Sequence, residues 1–197
     1  MKRILLVVIA LFAVVSTTSA QSLGDLLKSG ATQLIDKVTG GKATEFLLAG
    51  TWTYAEPAIH LDGEQELANI AGNALSQSLS TKMKKAYDYV GIKPGSCSFS
   101  FNEDKSFSAV IGKRTLSGTY LFDPETHAIE LHFSTLIDLG AMKGYAFVEG
   151  ETLKLVFNCT RLTAFVKTLG AKISLLNGIT TMLNNYDNVM LGFGFKR

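Results

Sequence analysis

The chain of 197 residues is poor in the residue types that most often mark a chemical site. Its two cysteines, Cys97 and Cys159, allow one disulfide at most and exclude a cysteine-rich framework. None of its three histidines has a cysteine or carboxylate at metal-ligand spacing. The sequence also lacks a Gly-x-Ser-x-Gly elbow, a phosphate-binding loop and a paired-carboxylate pattern. We therefore expect a protein that is not an enzyme and that uses no metal or cofactor.

The first 20 residues have the layout of a secretory signal peptide. Lys2 and Arg3 precede an apolar run at residues 4–15, and small polar residues then lead to Ala20. That run is shorter than the roughly 20 residues that a membrane span requires. We expect export to the periplasm or the cell exterior and a mature chain that begins at Gln21 without a transmembrane segment. No cysteine lies near this junction, so the sequence does not indicate a lipid anchor.

Charge is balanced once residues 1–20 are set aside. The whole chain has 19 Lys and Arg against 17 Asp and Glu, and the first 20 residues contain two of the cations and no acid. A neutral chain lacks the electrostatic footprint of a nucleic-acid binder. The densest basic cluster, formed by Lys82, Lys84 and Lys85, is interpreted as a solvated helix face.

Three stretches have apolar residues at intervals of three and four, the spacing of an amphipathic helix. The first, at residues 22–39, predicts an N-terminal helix within a segment 21–44, ended by Gly40 and Gly41. The second and third predict helical insertions at 63–90 and 160–186. Gly170 and Gly178 weaken the case for one continuous helix in the third stretch.

Nearly all of the remaining sequence alternates apolar and polar residues, which is typical of half-buried strands. Eight such strands are joined mostly by short turns, such as the turn at residues 149–151. An up-and-down barrel closes the sheet and so protects the apolar last strand from edge-to-edge association. We predict a mainly β fold, an eight-stranded antiparallel barrel over residues 45–197, with the two helical insertions added.

Gly50 and Trp52 form a Gly-x-Trp pattern at the start of the first strand. With the eight strands and a late helix, this pattern resembles lipocalins, and the whole chain resembles lipocalin-like families of uncharacterised secreted proteins from Bacteroides-type bacteria. The resemblance covers about residues 45–197. It implies that Trp52 closes the floor of the barrel, and it does not name a ligand.

The predicted inward positions of the strands are unusually aromatic. Among them, the candidate ligand-binding residues are Tyr54, Phe101, Tyr120, Phe133 and Tyr145. Two interpretations remain open, because an eight-stranded barrel can either be filled by its side chains or hold one small ligand. The first makes the protein a structural or interaction module of the cell envelope. The second makes it a binding protein for a small apolar or amphipathic molecule. The full inward set is Tyr54, Phe99, Phe101, Phe107, Tyr120, Phe122, Phe133, Tyr145, Phe147, Phe157, Phe193 and Phe195.

Both helical insertions leave the barrel at the end opposite Trp52, because successive strands alternate in direction. At least one helix is therefore expected to cover that end, near Cys97 or Cys159, and an Asp at Leu75 or Ile173 is expected to destabilise the fold. The two cysteines also lie at this end. Their strands are three apart around the closed ring, which favours two separate buried thiols over a disulfide.

Overall fold

The computed structural model describes residues 40–61, 74–136, 139–183 and 189–197. The expected signal peptide, the helix predicted at 22–39 and the first part of the helix predicted at 63–90 lie outside these residues. The described elements are α1 (Lys42–Leu48), β1 (Gly50–Leu61), α2 (Ala74–Val90), β2 (Cys97–Phe101), β3 (Ser106–Ile111), β4 (Arg114–Asp123), β5 (Ala128–Phe133), β6 (Met142–Glu149), β7 (Thr152–Asn158), α3 (Cys159–Thr168), α4 (Ile173–Leu183) and β8 (Val189–Lys196).

The eight strands form one closed antiparallel ring. Each strand pairs with its neighbours in sequence, and β8 pairs with β1 from Lys196↔Thr53 to Val189↔Leu61. Closure leaves β8 paired on both sides, with β7 and with β1, so its apolar residues have no free edge at which to associate with another chain. The predicted mainly β fold and strand order are confirmed.

Two of the predicted element boundaries change. The stretch predicted as one helix at 160–186 is divided into α3 and α4, and Gly170 lies between them with φ 101°, a conformation that glycine adopts without a side-chain clash. Cys159 begins α3 instead of ending a strand, because the side chain of Asn158 caps the helix by accepting a hydrogen bond from the Arg161 amide at 2.8 Å. The short helix α1 was not predicted.

The ring is tightly bent where glycines replace side chains. A Cβ atom at Gly144 would lie 2.1 Å from the Val156 carbonyl oxygen, and one at Gly192 would lie 1.9 Å from the Leu155 carbonyl oxygen. Any larger residue at these two positions would collide with the backbone of β7. These glycines therefore permit the close approach of β6 and β8 to β7.

The end of the ring opposite Trp52 is occupied by helices, as predicted. α2 connects β1 to β2, and α3 and α4 connect β7 to β8. Their buried residues are Leu79, Met83, Ala86 and Tyr87 from α2, Leu162, Phe165 and Val166 from α3, and Leu176, Ile179 and Leu183 from α4. Ile173 is 58% exposed, so the expectation that an Asp there would be buried is wrong, and the side chain of Leu75 lies outside the description. No described helix is both long and apolar enough to cross a membrane.

Trp52 seals the opposite end. Its side chain is fully buried, and its indole N–H donates to the Leu48 carbonyl oxygen at 2.9 Å. The Arg197 guanidinium lies 4.2 Å from the ring centroid and donates to the carbonyl oxygens of Leu47 and Ala49. Arg197 thus ties the last strand to the end of α1 across the indole face, which gives the single tryptophan a structural role.

Candidate functional site

Four of the five candidate ligand-binding residues meet inside the ring. Tyr54, Phe101, Tyr120 and Phe133 are between 1% and 7% exposed. The rings of Phe101 and Tyr120 are 5.1 Å apart in an edge-to-face arrangement. The Tyr120 hydroxyl donates to the Asn102 carbonyl oxygen at 3.0 Å, so it already has a partner within the chain. These residues form part of a packed aromatic core.

Tyr145 is the exception, because it lies on the outer face of β6 and is half-buried. The inward positions of this strand are Met142, Gly144, Ala146 and Val148, and all are buried. They are mostly small because β7 approaches closely and Phe157 fills the space that a Cβ at Gly144 would enter, with its Cδ1 only 2.5 Å away. The predicted inward orientation of Tyr145 and Phe147 is therefore wrong.

Two rings contributed by the helices complete the interior. Tyr87 of α2 lies 5.0 Å from Phe193 and 6.1 Å from Tyr54, measured between ring centroids. Phe165 of α3 lies 5.4 Å from Phe133 and 6.2 Å from Phe193. Both helical side chains are 1% exposed. The helices therefore insert into the barrel as well as covering its end, and the sequence analysis missed these two residues.

The Tyr87 hydroxyl is fully buried and has its hydrogen-bond partner within the chain. It donates to the Gly192 carbonyl oxygen at 3.0 Å, which satisfies a phenol that would otherwise lose its hydrogen bond to water. Burial raises the pKa of Tyr87 well above its ordinary value, and burial also raises the pKa of Tyr54. Neither phenol is available as a phenolate at neutral pH, which does not favour acid–base chemistry in the interior.

The two cysteines are free thiols, as the sequence favoured. Cys97 is buried at the start of β2, and burial raises its pKa to about 12. Cys159 is half-buried, and burial raises its pKa as well. Because the thiolate is the reactive form, these positions are poor nucleophiles.

A cleft of about 520 Å³ lies on the outer surface near the closed end of the ring. Its apolar wall is Phe147, whose ring stacks on His60 at 4.7 Å and contacts His127 at 5.4 Å. His60 reaches Phe147 although β7 and β8 separate their strands in the sheet. No sequence signal joins residues that are so far apart in the chain.

Charged groups surround this first outer cleft. Glu125, Glu149 and Lys154 lie at its border, and Nδ1 of His127 is buried with no hydrogen-bond partner within the described structure. The aromatic wall formed by Phe147 with His60 and His127 can stack against a planar group. The described residues contain no group of three or more His, Cys, Asp or Glu placed to hold a metal ion.

A second outer cleft, of about 880 Å³, runs between α2 and the outer faces of β1, β7 and β8. One wall is a polar side of α2, formed by the amide of Gln77 and the hydroxyls of Ser76, Ser80 and Thr81. This wall is polar, unlike the interior of the ring. These two clefts thus lie on the outside of the barrel.

The closed ring of eight antiparallel strands, with a floor tryptophan held by an arginine from the chain end, defines a lipocalin-like protein. The sequence profile of the family described as Lipocalin-like domain (DUF4923) matches residues 23–197, and the chain belongs to this family. Among solved structures, the chain is similar to a DUF4847 family protein from Bacteroides vulgatus ATCC 8482, with 15% identity and a TM-score of 0.38. The likeness covers 77% of this chain and 94% of the other. A comparison with curated proteins gave no match.

Proposed function

We propose that this chain is an exported, non-enzymatic lipocalin-like protein whose barrel is a filled scaffold and whose partners bind its outer surface. The observation that carries the proposal is the position of Tyr87 and Phe165 among the inward rings. Of the two interpretations that the sequence left open, this position favours the structural or interaction module over the container for a small apolar ligand.

A ligand inside the ring would have to displace side chains that are already well packed. Entry from the helical end would expel Phe165 from its contacts with Phe133 and Phe193. It would also separate the Tyr87 hydroxyl from the Gly192 carbonyl oxygen, and a buried acceptor without its donor costs about 1–3 kcal/mol. A ligand must recover these losses before it gains any affinity.

Export is supported by the signal-peptide layout of residues 1–20. Free thiols that are buried, as Cys97 is, agree with an oxidising compartment because burial protects them from forming mixed disulfides. A non-enzymatic role is supported by the described part of the interior, where the buried titratable side chains are the phenols of Tyr54, Tyr87 and Tyr120 and the thiol of Cys97, and burial raises the pKa of each.

Native mass spectrometry of the protein purified from the host without detergent tests the proposal. The native and denatured masses should agree, and organic extraction of the folded protein should release no stoichiometric small molecule. An additional mass that survives gentle desolvation, and disappears on denaturation, would show that the barrel holds a ligand and would contradict the filled scaffold. The Phe46→Ala variant is a surface control, and it should give the same result as the parent protein because Phe46 is 67% exposed on α1.

A further inference from the structure

The balanced charge of the chain conceals a strongly basic surface. Three fully described segments, at residues 82–93, 110–114 and 167–173, contain eight cations and one acid, Asp88. The other residues that the structure describes contain seven cations and nine acids. We name these three segments the basic surface. Its cations are Lys82, Lys84, Lys85, Lys93, Lys113, Arg114, Lys167 and Lys172.

The three segments of the basic surface meet at the helical end of the barrel. A Cβ atom at Gly91 would lie 3.4 Å from the Cα of Gly112, which brings the end of α2 against the turn between β3 and β4. The Arg114 guanidinium donates to the Leu169 carbonyl oxygen, which attaches that turn to the end of α3. Asp88 is already paired with Lys84 at 2.8 Å, so its carboxylate neutralises only a neighbour on its own helix.

Exposed apolar side chains lie among these cations. Tyr89 is 51% exposed, Val110 is 41% exposed and Ile173 is 58% exposed. They are three of the five large apolar side chains that are exposed in the described structure. The Lys172 ammonium lies 5.3 Å from the centre of the Tyr89 ring, so an aromatic ring and a cation are presented together.

We propose that the basic surface docks on an anionic lipid bilayer, with Tyr89 and Ile173 entering the headgroup region. Lysine and arginine attract anionic headgroups, and tyrosine with a neighbouring lysine is typical of the interface between water and hydrocarbon. Electrostatic attraction to the cations alone would allow the basic surface to bind any polyanion. The exposed Ile173 favours a lipid surface, because apolar insertion has no counterpart on a nucleic acid backbone.

The inference extends the proposed function, since it places one partner on the outside of a filled barrel. It also fails separately, because a bilayer that does not bind this surface leaves the packing of Tyr87 and Phe165 unchanged. Because the three segments of the basic surface lie together at the helical end, the docking has a direction. The helical end should face the bilayer and the end sealed by Trp52 should face away from it.

The test is co-sedimentation of residues 21–197, which include the whole family match, with lipid vesicles. We expect binding to vesicles of phosphatidylglycerol and phosphatidylethanolamine, and none to pure phosphatidylcholine. Binding should weaken as the salt concentration rises from 50 mM to 0.5 M, because the Debye length falls from above about 10 Å to a few ångströms. Urea unfolding curves of every variant should match the parent curve before vesicle binding is compared.

Two variants of the basic surface separate charge from insertion. Lys93→Glu combined with Lys113→Glu should weaken binding by about 20-fold or more, because each cation near an anionic leaflet is worth roughly a fivefold change in affinity. Ile173→Ser should weaken it several-fold without changing the salt dependence. The matched controls on α1, Lys42→Glu and Phe46→Ser, change a lysine and an exposed large apolar residue at the other end of the barrel and should bind like the parent.

Each contrary result overturns the inference. Absence of binding to anionic vesicles excludes a lipid-docking surface. Binding that is unaffected by Ile173→Ser, and is matched by equal affinity for double-stranded DNA, identifies a site for polyanions instead. Equal losses in the α1 controls would show that the whole molecule is attracted without a particular orientation.

Discussion

Replacing Phe165 by alanine tests whether α3 is part of the barrel core. The side chain is 1% exposed and packs against Phe133 at 5.4 Å and Phe193 at 6.2 Å. Burial of a phenylalanine contributes about 1.5–3 kcal/mol, and each ring pair adds about 0.5–1.5 kcal/mol. With the cavity that is left, we expect Phe165→Ala to lower the free energy of unfolding by about 3–5 kcal/mol. The melting temperature should fall by roughly 10 °C.

The assay for Phe165→Ala is urea unfolding followed by the fluorescence of Trp52, the single tryptophan. Phe46→Ala is the matched control, because Phe46 is 67% exposed and its loss should change stability by no more than about 0.5 kcal/mol. If Phe165→Ala costs less than about 1 kcal/mol, or no more than the control, then α3 does not pack inside the ring. That result would remove the main support for a filled barrel.

Three further predictions concern the floor, the thiols and the pH dependence. Arg197→Ala should lower the free energy of unfolding by about 1–3 kcal/mol, because it removes the cation over Trp52 and two hydrogen bonds to carbonyl oxygens. Urea unfolding should show a lower midpoint, and an unchanged midpoint would be the contrary result. Cys97 should stay unmodified by iodoacetamide at pH 8 until the protein unfolds, whereas Cys159 should be alkylated before Cys97. Mass spectrometry that finds Cys97 alkylated in the native protein would contradict its burial. The Thr126 hydroxyl and the Glu125 amide donate to the Asp123 carboxylate and lower its pKa below 3.8, so the carboxylate's contribution to stability is present above that pH and is lost as the pH falls through the folded-state pKa. Asp123→Asn should therefore reduce the fall in the urea midpoint between pH 5 and 3. An equal fall in the variant and the parent would contradict the role of Asp123.

Strand order and closure could be predicted because alternation has a simple physical cause. Side chains of a strand point alternately to its two faces, so a run such as Cys97, Phe99 and Phe101 identifies the inward face of β2. The same rule failed on β6, because both faces of this strand contain apolar residues and alternation alone does not show which face points inward. The space available beside β7 decides the matter, since Gly144 and Ala146 fit there and the ring of Tyr145 does not.

The candidate sites depended on contacts that periodicity cannot supply. Helical spacing predicts that Tyr87 and Phe165 lie on the apolar faces of the helices at 63–90 and 160–186. It cannot show that these rings reach past the helix surface to Phe193 inside the barrel. Likewise, the stacking of His60 on Phe147 depends on strand register and on the bend of the ring. Such contacts are properties of the closed sheet as a whole.

The filled interior is tested most directly by NMR of the native protein under xenon. Xenon enters apolar cavities that are large enough to hold it, and it perturbs the methyl groups that line them. We predict that the methyl signals of Leu131, Leu155 and Leu191, which are all buried in the ring, show no saturable shift in the parent protein. Phe165→Ala should create a site and produce such a shift. A saturable shift in the parent protein would reveal an internal cavity and would contradict the filled barrel.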